Sequence, residues 1–101
     1  MEKKDRLELY KKAIDLWGVE AQRNMAFEEI GELNTVLARD RRGRATKEDI
    51  LSELADVTIM CEQMGYILGF ENYEKAVNDK LIRLRDKKLA KYETEEAKNW
   101  G

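Results

Sequence analysis

The sequence predicts an all-α protein, and three observations support this expectation. The 101-residue chain has no proline and 40% charged residues, a composition that suits long helices with solvated faces. Apolar residues recur at intervals of three and four, as they do on one face of a helix. The interruptions are short and contain glycine, and short connections make sequential helices antiparallel neighbours. We therefore expect an antiparallel four-helix bundle, completed by dimerisation because a chain of this length leaves much of its surface exposed.

The first two helices are expected over roughly 5–17 and about 19–40. Gly18 interrupts the apolar pattern between them, and the basic segment 41–44 follows the second. Their predicted core stripes are Leu7, Tyr10, Ile14 and Trp17, then Ala26, Ile30, Leu33 and Leu37.

The third helix is expected to begin after Thr46, the predicted N-cap, which is followed by Asp49 at the capping-box position, and to stop at Gly69. The fourth is expected over about 71–92. The third helix's predicted core stripe is Ile50, Leu54, Val57, Cys61, Met64 and Leu68. These helices form one predicted domain, 1–93, followed by a C-terminal tail, 94–101.

Composition excludes several classes of function. The formal net charge of −2 does not favour a nucleic-acid or membrane-surface binder, and no apolar run resembles a signal peptide or a membrane span. We expect a cytoplasmic protein. The single cysteine, Cys61, is expected to be a small core residue, and the absence of histidine removes the usual general base and most zinc and iron sites. Chemistry, if present, must depend on carboxylates.

A carboxylate pair occurs twice. When residues 26–37 are laid over residues 50–61, Glu29 matches Glu53 and Glu32 matches Asp56. At about 100° per residue, Glu29 and Glu53 fall inside the apolar arcs of their helices, and Glu32 and Asp56 lie at the edges. Two helices are therefore predicted to point acid pairs toward the interior.

Four buried carboxylates without compensation would cost many kcal/mol. Mg²⁺, with Mn²⁺ as a substitute, suits an oxygen-only ligand set and tends to bind substrate phosphates as well. A di-iron site of the kind found in helical bundles normally recruits histidine, which is absent. The remaining alternative is that these acids pair with lysines and arginines of neighbouring helices.

The pattern Glu28-Glu29-x-x-Glu32, twenty further residues, then Glu53-x-x-Asp56 resembles the signature of the MazG-like all-α nucleoside triphosphate pyrophosphohydrolases. The likeness covers roughly 10–90 and includes Trp17-Gly18-x-Glu20-Ala21-Gln22. It implies Mg²⁺-dependent cleavage between the α and β phosphates of a nucleoside triphosphate, and a homodimer or a dimer of dimers. Metal-activated water would attack, with Glu28 or Glu53 as candidate catalytic proton acceptor.

Five residues are candidates for contact with the substrate, and some of them also fit a purely structural role. Lys80 and Arg83 are candidates for the pyrophosphate end, although such residues also cover apolar stripes with their stems. Trp17, Gln22 and Phe27 are candidates for the base, although Trp17 also fits a core position. The alternative function is a non-catalytic helical dimer that binds a metal, a nucleotide or a partner helix in an acidic cleft.

Overall fold

The structure is a computed structural model that describes residues 1–93, in which the chain forms helices and no strand. The helices are α1 (Lys3–Trp17), α2 (Val19–Arg41), α3 (Lys47–Ile67) and α4 (Phe70–Arg83), followed by a π-helical segment, Leu84–Leu89. This confirms the all-α prediction. The predicted tail, 94–101, lies outside the described residues. Within 1–93, no helix combines the length and apolar composition needed to cross a membrane.

The helix ends follow the local sequence signals. Gly18 and Gly69 have φ of 89° and 97°, a backbone conformation that glycine adopts without steric cost, and they separate α1 from α2 and α3 from α4. At the start of α3, the Thr46 hydroxyl accepts a hydrogen bond from the Asp49 amide, and the Asp49 carboxylate accepts one from the Thr46 amide. The predicted capping box is present, and it defines where the helix that carries two of the acids begins.

Helices α1 to α3 belong to a compact unit, Met1–Phe70, in which α2 and α3 make the most extensive contact. Arg6 Nε and the Tyr10 hydroxyl, both on α1, donate hydrogen bonds of 2.9 Å and 2.5 Å to Glu62 Oε1 on α3. These bonds hold the first helix against the third.

A second unit begins at Glu71 and contains the remainder of α4 and the π-helical segment. Among its described residues, six large apolar side chains are exposed: Val77, Leu81, Ile82, Leu84, Leu89 and Tyr92.

The buried line of each long helix differs from the predicted stripe. On α2 the buried residues are Gln22, Val36 and Ala26, which confirms the prediction for Ala26, whereas Ile30 and Leu37 are exposed. On α3 the buried residues are Met60, Gln63 and Gly65, while Leu54, Leu68 and Cys61 are exposed, so the expected core role of Cys61 is wrong. The reason is that α2 and α3 contact each other through the helix faces that carry the acids and glutamines. The predicted apolar stripes lie beside these faces and remain largely exposed.

Candidate metal centre

Three carboxylates meet between α2 and α3. Glu29 on α2 and Glu53 and Asp56 on α3 each contribute an oxygen, and the three oxygens lie within 4.8 Å of one another. Because residues three apart on a helix share a face, Glu53 and Asp56 present a pair that Glu29 meets from the opposite helix. The structure thus brings together three of the four predicted metal ligands.

Two of these carboxylates have a buried oxygen without a partner. Glu29 Oε2 and Glu53 Oε2 are inaccessible to water and accept no hydrogen bond from the described residues, although both side chains are half-buried overall. A buried acceptor that is left unpaired destabilises the folded state, and more so when it is charged. The site therefore lacks a positive group or a donor at these two atoms.

The electrostatics agree with this geometry. Burial raises the pKa of Glu29, and the nearby carboxylates of Glu32, Asp56 and Glu53 raise it further. Burial also raises the pKa of Glu53, with Glu32 and Asp56 adding to the effect and Arg39 opposing it. Both acids resist ionisation, as expected where like charges converge in a partly desolvated place.

Glu32, the fourth predicted ligand, is exposed and lies outside the three-oxygen group. It is nevertheless close enough to raise the pKa of both Glu29 and Glu53, so it borders the cluster. Glu28 is exposed and is not part of the group. Lys80 and Arg83 lie exposed on α4, in the second unit, and their contact with phosphate stays a prediction.

A small cavity of about 150 Å³ adjoins the carboxylates. Glu29 and Asp56 form one part of its wall, and the other lining residues are Trp17, Gln22, Met25, Ile59, Met60 and Gln63. A larger cavity of about 570 Å³, with an almost entirely apolar lining, shares Trp17, Ile59 and Gln63 with it. The carboxylates therefore stand beside a space with apolar, aromatic and amide walls.

The predicted base-binding residues separate into two groups. Trp17 is 60% exposed and lines both cavities, so it is not a core residue of the described chain, and Gln22 is 1% exposed and lines the smaller cavity. Phe27 is 70% exposed and lines neither of these two cavities. The structure brings Trp17 and Gln22 to the acids but does not bring Phe27.

Sequence reasoning missed Gln63 and Arg39. Gln63 follows Asp56 by seven residues, just as Gln22 precedes Glu29 by seven, so helical periodicity places each glutamine on the same face as an acid. Arg39 follows Glu32 by seven and counteracts the rise in the pKa of Glu53. The signal for both residues is a polar side chain two helical turns away from an acid on the same helix face.

The donor set fits a hard divalent cation. Mg²⁺ takes oxygen ligands at about 2.0–2.1 Å in an octahedron, so two of its ligands lie no more than about 4.2 Å apart. Among three octahedral ligands at least two pairs are adjacent and about 3 Å apart, so oxygens that lie within 4.8 Å of one another would have to move closer together around the ion. The two unpartnered oxygens would then gain the positive partner they lack.

Comparisons with known proteins add nothing to this site. No family model matches the chain, and neither the curated proteins nor the solved structures contain a match.

Proposed function

We propose that this protein is a Mg²⁺-dependent nucleoside triphosphate pyrophosphohydrolase, which cleaves free nucleotides in the cytoplasm between the α and β phosphates to a monophosphate and pyrophosphate. The observation that carries the proposal is the meeting of Glu29, Glu53 and Asp56 with two buried, unpartnered oxygens. The resemblance of the acid pattern to MazG-like enzymes supports the reaction type.

The carboxylates would have two tasks. Glu29, Glu53 and Asp56 would hold Mg²⁺, with Glu32 at the edge of the cluster as a further ligand. When bound, the ion neutralises phosphate charge and activates water for attack. Glu53, or Glu28 on the exposed side of α2, would accept the proton from the attacking water, since the chain has no histidine to do so.

The proposal is tested by incubating the protein with Mg²⁺ and a panel of canonical and modified nucleoside triphosphates and measuring pyrophosphate. We expect release in the wild type and its loss in Glu53→Gln, which keeps the shape of the side chain. Glu48→Gln is the matched control, because Glu48 is an exposed acid on the same helix. Release that is equal in Glu53→Gln and Glu48→Gln would contradict the site assignment. No release from any nucleotide, together with metal-induced stabilisation, would favour the non-catalytic binding protein instead.

The proposal includes a four-helix arrangement completed by a second copy. Exposed large apolar side chains on α2 and α3 support it: Ile30, Leu37, Leu51 and Leu54. Ile30 and Leu37 are seven residues apart and Leu51 and Leu54 are three apart, so each pair lies on one face of its helix, and exposed apolar patches commonly mark association surfaces. We expect a homodimer or a dimer of dimers.

A further inference from the structure

The two cavities beside the acid cluster contain a feature that metal binding leaves unexplained. Gln63 is 6% exposed, and its Oε1 is inaccessible to water and accepts no hydrogen bond from the described residues, so the amide must turn toward the cavities before a ligand there can reach this atom. The side chain lines both the 150 Å³ and the 570 Å³ cavities. An unpaired amide oxygen in an apolar wall lowers the stability of the folded protein, so its presence calls for a donor that arrives from elsewhere.

The glutamines of this chain are distributed unusually. There are two, Gln22 and Gln63, and both are buried although glutamine is ordinarily a surface residue. They come from different helices and line the same small cavity. Two buried amides on one cavity supply hydrogen-bond acceptors and donors beside the carboxylates of Glu29 and Asp56.

The dimensions suit the organic part of a nucleotide. Ligand pockets typically measure about 300–1,000 Å³ and combine apolar and aromatic walls with a few polar groups. The larger cavity, about 570 Å³, lies within this range and is lined by Leu9, Leu16, Trp17 and Ile59. The smaller cavity shares Trp17, Ile59 and Gln63 with it and also includes Glu29 and Asp56 in its wall. A ligand whose phosphates lie at the acids can therefore extend past Gln63 into the apolar space.

We propose that the two cavities together form the nucleobase site, and that Gln63 is a specificity-determining residue whose amide oxygen accepts a hydrogen bond from an N–H group of the base. This inference rests on the proposed function, because it places the phosphates at the carboxylates. Trp17 supplies an aromatic face beside the base, and Gln22 supplies a second amide. A base whose N–H group is methylated leaves Gln63 unpaired and is rejected.

The test measures binding without catalysis. Wild type, Gln63→Leu and the matched control Asn24→Leu, which replaces an exposed amide on α2, are titrated calorimetrically in Mg²⁺ with the monophosphates of uridine, cytidine, adenosine and guanosine, which have no α–β phosphate bond to cleave. The best ligand is then compared with its analogue methylated at the base N–H. We expect methylation to weaken wild-type binding about tenfold, the loss of roughly one hydrogen bond. Gln63→Leu should weaken binding of the unmethylated ligand about tenfold as well, and the variant should bind the unmethylated and methylated ligands equally.

A structural role for Gln63 predicts a different result. Gln63→Leu should leave the midpoint of thermal unfolding unchanged or raise it, because it removes an unpaired polar atom. A lower midpoint with unchanged ligand preference would overturn the inference, as would a wild type that binds none of the four monophosphates. If Gln63→Leu does not fold, Gln63→Met keeps the side-chain length and is judged by the same criteria.

The outcomes separate this inference from the proposed function. Pyrophosphate release whose base preference is the same in wild type and Gln63→Leu overturns the nucleobase site alone. Nucleotide binding that depends on Gln63, without pyrophosphate release from any triphosphate, overturns the hydrolase alone.

Discussion

Glu29 and Glu53 approach each other from different helices, and each buries one carboxylate oxygen that has no hydrogen-bond partner in the described chain. Their pKa values are raised chiefly by burial and then by the neighbouring acids. Without a cation, this arrangement opposes folding at neutral pH. With a cation, the same atoms become ligands.

Removing one of these charges should therefore stabilise the metal-free protein. We expect Glu53→Gln to raise the midpoint of thermal unfolding in EDTA at pH 7, because it relieves repulsion and the desolvation of a charge. In Mg²⁺ the order of the two unfolding midpoints should reverse. At a Mg²⁺ concentration of 100 times the Kd, the free energy of unfolding of the wild type rises by about 2.7 kcal/mol, and that of the variant rises much less. Thermal scans with and without Mg²⁺ measure both effects, and Glu48→Gln should behave as the wild type.

Glu28 allows metal binding to be separated from proton transfer. It is exposed and outside the three-oxygen group, so Glu28→Gln should keep the stabilisation by Mg²⁺. If Glu28 accepts the proton, we expect kcat to fall by about 10²- to 10⁴-fold with little change in KM. Steady-state pyrophosphate assays measure this, and an unchanged kcat would assign the proton transfer elsewhere.

The contact between α1 and α3 should depend on pH through Glu62. The Arg6 guanidinium, with help from the Tyr10 hydroxyl, holds the Glu62 pKa below its ordinary value of 4.5. A lowered carboxylate pKa stabilises the folded protein above about pH 4.5, and that contribution is lost as the pH falls below this value.

Tyr10→Phe tests this contact, since Tyr10 is 5% exposed and donates its hydroxyl to Glu62. We expect the substitution to cost about 1.5–3 kcal/mol at pH 7, the usual range for a hydrogen bond to a charged group. The cost should shrink once Glu62 is protonated. Urea denaturation at a series of pH values from 7 down to about 2 measures this cost, and a cost that stays constant over the whole range would contradict the explanation.

The capping box should contribute to stability without affecting chemistry. Thr46→Ala removes the acceptor for the Asp49 amide and should cost about 1 kcal/mol. Because the acids begin seven residues later, pyrophosphate release should be unchanged where the variant is folded. Thermal unfolding and the activity assay test the two statements independently.

Association should depend on the exposed apolar positions of α2. Leu37 is 42% exposed, and Leu37→Glu should shift the protein toward monomer, because a buried charge at an interface is strongly unfavourable. Ala38→Glu, at an exposed small residue on the same helix, is the matched control. Sedimentation velocity distinguishes the species, and a monomeric wild type would contradict the expected dimer.

Much of the local structure could be predicted from sequence because its causes are local. Gly18, Gly69 and the Thr46–Asp49 box act within a few residues, and each boundary of α1, α2 and α3 lies within about two residues of its expected place. The fourth helix was expected to reach about residue 92, but α4 ends at Arg83, where the π-helical segment begins. The inward phase of Glu29 and Glu53 follows from helical geometry alone. These features depend on spacing along one helix.

The tertiary structure decided which face of each helix makes contact. Hydrophobicity favoured Ile30 and Leu37 on α2 and Leu54 and Cys61 on α3, yet these residues are exposed, whereas both glutamines are buried. A single helix contains no information about the surface that its partner offers. The proximity of Glu29 to Asp56 therefore arises only when α2 and α3 pack together. The same packing brings Gln22 and Gln63 to one cavity. The sequence by itself determined the helices and the inward direction of the acids. The packing of α2 against α3 determined that the buried face of each helix carries polar residues at the candidate site.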